Sequence, residues 1–130
     1  MKPLHYGIIG CGMMGQEHLR NIALVPGAHV AAIFEPDAAM RARAAVLAPD
    51  AVFVDTIEAV LAHPDVNCLL IASPNDLHLV QLEAIAAIRP LPVLVEKPLF
   101  TDPADAPRLA RLAATYPAPV WVAMEYRYMP

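Results

Sequence analysis

Gly10-Cys11-Gly12-Met13-Met14-Gly15 follows an apolar run, Tyr6-Gly7-Ile8-Ile9, and precedes a helix-like stretch from Gln16 to Leu24. The six residues read G-x-G-x-x-G, and their place between strand and helix is what gives the pattern weight. Gly10 suits the tight turn out of the strand. Gly12 lets a backbone approach a pyrophosphate, and Gly15 lets the helix pack on the sheet. The helix start then offers free N–H groups and partial positive charge to phosphates. Twenty positions past Gly15, Glu35 closes a second apolar run, Val30-Ala31-Ala32-Ile33-Phe34. An acid at that offset is placed for the adenosine ribose hydroxyls. The plainer alternative, a glycine-rich turn with no ligand, leaves Glu35 unexplained.

Working outward, strands are expected at about 4–9, 29–34, 52–54, 68–72, 92–96 and 119–125, and helices at about 13–24, 37–47, 56–62, 76–88 and 102–115. Asp37, Thr56, Asn75 and Asp102 are candidate N-caps. Strand and helix alternate throughout. That pattern predicts an α/β fold, a doubly wound parallel sheet of the Rossmann type with strand order 3-2-1-4-5-6. The fourteen prolines lie mostly at element boundaries and punctuate rather than form a biased tract.

The chain has 130 residues, enough for one domain with a core. With 58% hydrophobic and 17% charged residues it is not a disordered chain. Its net charge of −4 and lack of a basic block argue against a nucleic-acid partner. No apolar run reaches transmembrane length and no secretory leader opens the chain, so no membrane partner is expected. Two cysteines, Cys11 and Cys68, make no disulfide framework, and a reduced, cytoplasmic setting is expected.

Two further motifs stand at strand ends. Leu69-Leu70-Ile71-Ala72 leads into Ser73-Pro74-Asn75-Asp76-Leu77-His78. Ligands of open α/β sheets sit outside the carboxyl ends of strands, at the point where strand order reverses. Ser73, Pro74, Asn75 and His78 therefore border the same crevice as the glycine loop. An ordinary strand–turn–helix, with Asn75 capping and His78 packed inside, remains the alternative. The fifth strand ends in Val95-Glu96-Lys97-Pro98. A lysine there projects toward the nicotinamide end of a cofactor, where it can hydrogen-bond a substrate hydroxyl or stabilise an alkoxide. A solvated loop lysine is the competing reading.

Together Gly10 to Gly15, Ser73-Pro74-Asn75 with His78, and Glu96-Lys97-Pro98 resemble the Gfo/Idh/MocA oxidoreductases in order and spacing, over essentially the whole chain. The segment Glu125-Tyr126-Arg127-Tyr128-Met129-Pro130 is similar to that family's arginine–aromatic–x–proline segment. The resemblance implies NAD(P)-dependent oxidation or reduction of sugars, inositols and related polyols. It implies that Lys97 is the catalytic or substrate-positioning lysine, that Asn75 and Glu96 line the nicotinamide side, and that Arg127 lies near substrate or a domain junction. The expected cofactor set is Gly10, Cys11, Gly12, Met13, Met14, Gly15, Glu35, Ser73, Pro74, Asn75, His78, Glu96 and Lys97. The resemblance also favours a cis Lys97–Pro98 peptide and a homo-oligomer for the intact enzyme. Residues 1–124 would then be the dinucleotide-binding domain, and 125–130 the start of a connection to a C-terminal substrate domain absent from this chain. The family's glycine–lysine–histidine turn is replaced here by Arg89-Pro90-Leu91-Pro92, at the end of the strand away from the crevice.

NAD is expected over NADP. Glu35 repels a 2′-phosphate and Pro36 follows where an NADP enzyme favours a basic side chain, although Arg41 and Arg43 on the second helix argue the other way. Cys11 is expected to hold its thiol near the pyrophosphate, with no base beside it to make it a nucleophile. Met13 suits packing better than cofactor contact. His5, His29 and His63 lack metal-ligand spacing, so no metal is expected. Trp121, Val122, Met124, Tyr126 and Tyr128 are expected near an exposed junction that invites self-association. The rival readings are a non-catalytic nucleotide sensor and an S-adenosylmethionine site. Neither gives Glu96-Lys97-Pro98 a role.

Overall fold

A β-branched and leucine-rich run buried on both faces makes the centre of a parallel sheet, and β4 (Cys68–Ile71) is such a run, with all four residues buried. The computed structural model describes residues 2–130. Among them β1 (Leu4–Ile9), β2 (Ala28–Phe34), β3 (Val52–Val54), β4, β5 (Val93–Glu96) and β6 (Val120–Ala123) form one parallel sheet in the order β3-β2-β1-β4-β5-β6. The expected Rossmann order is therefore present.

The connecting helices are α1 (Met13–Ile22), α2 (Ala38–Leu47), α3 (Ile57–Ala62), α4 (His78–Ile88) and α5 (Ala106–Thr115). The two-residue period of a strand sends neighbours to opposite faces, and two cores result. Ile9, Leu69, Ile71, Val93 and Val95 pack with Val60 and Leu61 of α3 and Leu82 and Ile85 of α4. Ile8, Ile33 and Leu70 pack with Leu19 and Ile22 of α1 and Ala44 of α2. Each fully buried aliphatic side chain contributes about 1.5–3 kcal/mol relative to exposure. Arg108 of α5 binds Glu83 of α4 (2.6 Å) and Asp105 (2.8 Å), tying the two helices together at the surface.

Helix starts follow the expected chemistry where a short acceptor precedes the first turn. Asp37 accepts from the Met40 amide at 2.8 Å and Thr56 from the Ala59 amide at 3.1 Å. Asp102 accepts from the Ala104 amide, but it caps a 3-10 turn, Pro103–Asp105, that precedes α5. Asn75 does not cap a helix. It opens a 3-10 turn, Asn75–Leu77, closed by the Leu77 amide on the Pro74 carbonyl, and α4 begins three residues later at His78 with no side-chain cap.

The last strand is shorter than the expected 119–125. β6 pairs with β5 over Val120 to Ala123, opposite Val93 to Glu96. β5 ends at Glu96, before the cis Lys97–Pro98 bond, and residues past Ala123 have no strand to pair with. They form a 3-10 turn, Glu125–Tyr128. On β6, Trp121 stands on the sheet face covered elsewhere by α1 and α2 and is 57% exposed. Among the described residues no helix is long and apolar enough to cross a membrane.

Candidate functional site

The carboxyl ends of β1, β2, β4 and β5 open into one crevice of about 630 Å³ at the point where strand order reverses between β1 and β4. One end is lined by Glu35, Pro36, Asp37 and Met40, the middle by Gly10, Gly12, Met13 and Met14, and the other end by Ser73, Pro74, Asn75, Glu96, Lys97 and Pro98. Four segments separated in sequence meet here because all of them are strand ends on the same edge of a parallel sheet.

The glycines differ in what they do. Gly10 has φ +91°, and a Cβ there would lie 2.5 Å from the Ser73 amide nitrogen, so the turn out of β1 presses on the end of β4. A Cβ on Gly15 would strike the Gly10 carbonyl oxygen, which lets α1 start against the turn itself. A Cβ on Gly12 would meet only the Met40 sulfur at 3.8 Å. The backbone is therefore open to the crevice at the first turn of α1, whose N-cap is Gly12 with no side-chain cap. That opening at a helix N-terminus is the chemistry a pyrophosphate requires, and the residues present fit a dinucleotide.

Glu35 is 5% exposed, and both carboxylate oxygens are engaged. Oε2 accepts from the Cys11 amide at 2.6 Å and Oε1 from the Asp37 amide at 2.8 Å. The side chain thus holds the glycine loop against the end of β2, and lone pairs remain for ribose hydroxyls. Arg41, one of the two arginines that argued for NADP, is turned elsewhere. It binds Asp55 at 2.9 Å and its guanidinium lies over the Phe53 ring at 5.4 Å.

Three expected cofactor residues, Cys11, Gly15 and His78, do not line the crevice. Cys11 is fully buried, and its side chain packs with the α1 and α2 core, so the expectation of a thiol near the pyrophosphate is corrected. The positive φ at Gly10 breaks the alternation of β1, so Cys11 joins Ile8 on the α1 and α2 face and not Ile9 on the other, while its amide faces Glu35. His78 is also fully buried, with Nδ1 2.7 Å from the Pro98 carbonyl and Nε2 2.8 Å from the Ser73 carbonyl. Gly15 is buried behind the loop. Arg127 is exposed in the last 3-10 turn, where Glu125 rather than Arg127 borders the crevice.

Both thiols are poor nucleophiles. Burial pushes the Cys11 thiol up to about 12, and the Glu35 charge adds to that shift. Burial pushes Cys68 up to about 11, against the opposing effect of a backbone hydrogen bond at His5. At pH 8 only about one Cys11 in 10⁴ is then a thiolate. Iodoacetamide is expected to leave both cysteines of the folded chain unlabelled over hours and to label both in concentrated urea. Rapid labelling of Cys11 in the folded chain would show that its thiol faces solvent after all.

Lys97 is exposed, lines the crevice and makes no side-chain hydrogen bond or ion pair among the described residues. Its neighbour Glu96 is 6% exposed and meets His18 of α1, Nε2 to Oε1 at 2.6 Å. Sequence reasoning did not single out His18. It lies one turn past Gly15, on the face of α1 that Gly15 brings onto the sheet, and that spacing is the signal that marks it. Gln81 was also missed. It borders the crevice and accepts from the Ser73 hydroxyl at 2.5 Å. Its place one turn past His78 on α4 is the corresponding signal.

Comparison with known proteins agrees with this geometry. The model of the Gfo/Idh/MocA family, described as an oxidoreductase family with an NAD-binding Rossmann fold, matches residues 4–124. An inositol 2-dehydrogenase of Corynebacterium glutamicum (strain R) is 42% identical over 113 residues, 85% of this chain and 33% of that protein. One of Streptomyces avermitilis is 43% identical over 113 residues, 85% of this chain and 32% of that protein. The chain spans about a third of the length of the curated relatives it matches. Among solved structures, scyllo-inositol dehydrogenase from Lactobacillus casei with bound NAD(H) and scyllo-inositol superposes with a TM-score of 0.85 at 26% identity, over 98% of this chain and 38% of that one.

Proposed function

This chain belongs to the Gfo/Idh/MocA oxidoreductase family, whose NAD-binding Rossmann domain it forms, and we propose that it is the cofactor half of a dehydrogenase that moves hydride between NAD and a hydroxyl carbon of an inositol or related polyol. The observation that carries the proposal is the polarity of the crevice: a buried, backbone-anchored carboxylate at one end and, at the other, an ammonium unpaired among the described residues. The relatives named above are inositol dehydrogenases, which supports a cyclic polyol as the substrate class.

In this reading Glu35 accepts from the adenosine ribose, and the amides of the glycine loop and the α1 N-terminus face the pyrophosphate. Bound NAD supplies the hydride chemistry at its nicotinamide ring. Lys97 donates a hydrogen bond to the reacting oxygen and stabilises negative charge as it develops there. Asn75 and Pro74 border the nicotinamide side. Residues 1–124 act as the dinucleotide-binding domain, and 125–130, Arg127 included, lead toward a substrate domain in the longer protein, which assembles as a homo-oligomer.

Calorimetric titration of the chain tests the cofactor part. NAD+ is expected to bind at least about tenfold more tightly than NADP+, about 1.4 kcal/mol. Glu35 opposes a 2′-phosphate by like charge, and Arg41 is held by Asp55. S-adenosylmethionine is expected not to bind. Tighter binding of NADP+ would overturn the assignment. Assays of the longer protein with a panel of inositols and sugars test the chemistry. The 130-residue chain is expected to bind NAD+ without turnover, because one wall of a site leaves the reacting groups unshielded from water. Turnover by the chain itself would show that the site is self-contained. NAD+ binding with no turnover in the longer protein would favour a sensor.

A further inference from the structure

The Glu96–Pro98 segment is gripped on both sides by histidines whose rings lie outside the crevice. On one side His18, in the second turn of α1, puts Nε2 2.6 Å from Glu96 Oε1, across 78 residues of sequence. The two side chains are 18% and 8% exposed, so the contact is shielded from water. On the other side His78, first residue of α4 and fully buried, meets the Pro98 carbonyl at 2.7 Å. The same ring meets the Ser73 carbonyl at 2.8 Å, which joins the β4 loop to the β5 loop. Between the two grips stands Lys97, exposed and unpaired among the described residues.

The arrangement has a chemical consequence. A carboxylate one residue away is the nearest competitor for the Lys97 ammonium, since an ion pair in that loop would occupy the donors a substrate oxygen needs. Glu96 and Lys97 both line the crevice, and a carboxylate oxygen that accepts from an imidazole at 2.6 Å is not free to turn to the ammonium. A strand end fixed at both flanks also holds the lysine stem to a narrow range, and a misplacement of 1 Å can cost about 10²-fold in rate. We infer that His18 is a positioning residue for Lys97: from α1 it holds the Glu96 carboxylate, so that Lys97 projects unpaired into the crevice. This inference rests on the dehydrogenase reading.

The test compares His18→Leu, which removes the donor at similar volume, with His18→Gln, whose side-chain amide keeps an N–H near the position of Nε2. In the longer protein His18→Leu is expected to lower kcat by about tenfold to 10²-fold while Kd for NAD+ stays within about twofold. His18→Gln is expected to restore most of kcat, and Glu96→Gln combined with His18→Leu to cost little beyond either alone. Unchanged kcat in His18→Leu overturns the inference. So does a parallel loss of kcat, NAD+ affinity and melting temperature in both variants, which would mark a merely structural contact. Hydrogen exchange in the 130-residue chain provides a readout independent of activity. The Lys97 and Leu99 amides are expected to exchange at least about tenfold faster in His18→Leu and at near wild-type rates in His18→Gln. Equal exchange in wild type and His18→Leu overturns the grip. If the wild-type protein turns over no polyol, the dehydrogenase reading falls, and the exchange experiment still decides whether His18 holds the loop.

Discussion

Lys97→Met in the longer protein is expected to lower kcat by about 10²–10⁴ and to leave Kd for NAD+ within about twofold. Methionine keeps most of the unbranched stem that lysine lays along the crevice wall and removes only the ammonium, so packing changes little. The ammonium is exposed and free of protein partners among the described residues, so no ion pair is lost when it goes. The contribution being removed is a hydrogen bond that strengthens as charge builds on the reacting oxygen, and a loss of 10³-fold corresponds to about 4 kcal/mol of transition-state stabilisation. Steady-state kinetics with saturating NAD+, alongside titration of the same variant, make the check. Unaltered kcat would remove Lys97 from the mechanism. Loss of NAD+ affinity in proportion to kcat would make it a cofactor ligand instead.

Gly10→Ala is expected to destabilise the chain by about 2–5 kcal/mol, a large fraction of a domain's 5–15 kcal/mol. Two costs add. A φ of +91° puts an L side chain in a region that costs about 1–2 kcal/mol. The new methyl would also lie 2.5 Å from the Ser73 nitrogen and 2.6 Å from its Cα. Those are backbone atoms at the end of a central strand, which cannot swing aside, and overpacking of that kind costs about 1–3 kcal/mol. Gly12→Ala is the informative control. Its methyl would meet only a flexible methionine sulfur at 3.8 Å, so stability should stay within about 0.5 kcal/mol while NAD+ affinity falls. Urea unfolding and NAD+ titration of the two variants separate the roles. Equal destabilisation by both would show that the loop as a whole is strained, not Gly10 alone.

Much of this architecture is legible in local patterns. Apolar runs bounded by proline and glycine mark the strands, and an oxygen acceptor three residues before a free amide marks a helix start, as Asp37 and Thr56 do. The glycine hexad followed by Glu35 implies that β1 lies beside β2, because that neighbourhood brings the acid and the loop together. These signals are local, with the helix caps spanning three residues and the Cys11–Glu35 contact twenty-four. Where the partner is missing, the local expectation fails. β6 stops at Ala123 because β5 ends at Glu96, a fact about the neighbouring strand and not about residues 124 and 125.

Side-chain direction is the other kind of information, and it comes from register and packing. Cys11 belongs to the glycine loop by sequence, yet its thiol lies in the core of the opposite face while its amide meets Glu35. His78 belongs to the crevice motif by spacing, yet it is spent on two backbone carbonyls. His18 carries no motif of its own and still reaches Glu96 across 78 residues. The residue types needed for a dinucleotide site are thus written in the order of the chain. Which of those side chains face the ligand, and which hold other side chains in place, follows from how two helices and two strand ends close on one another. That closing minimises buried unpaired polar atoms across the whole domain, and a linear pattern does not contain the sum.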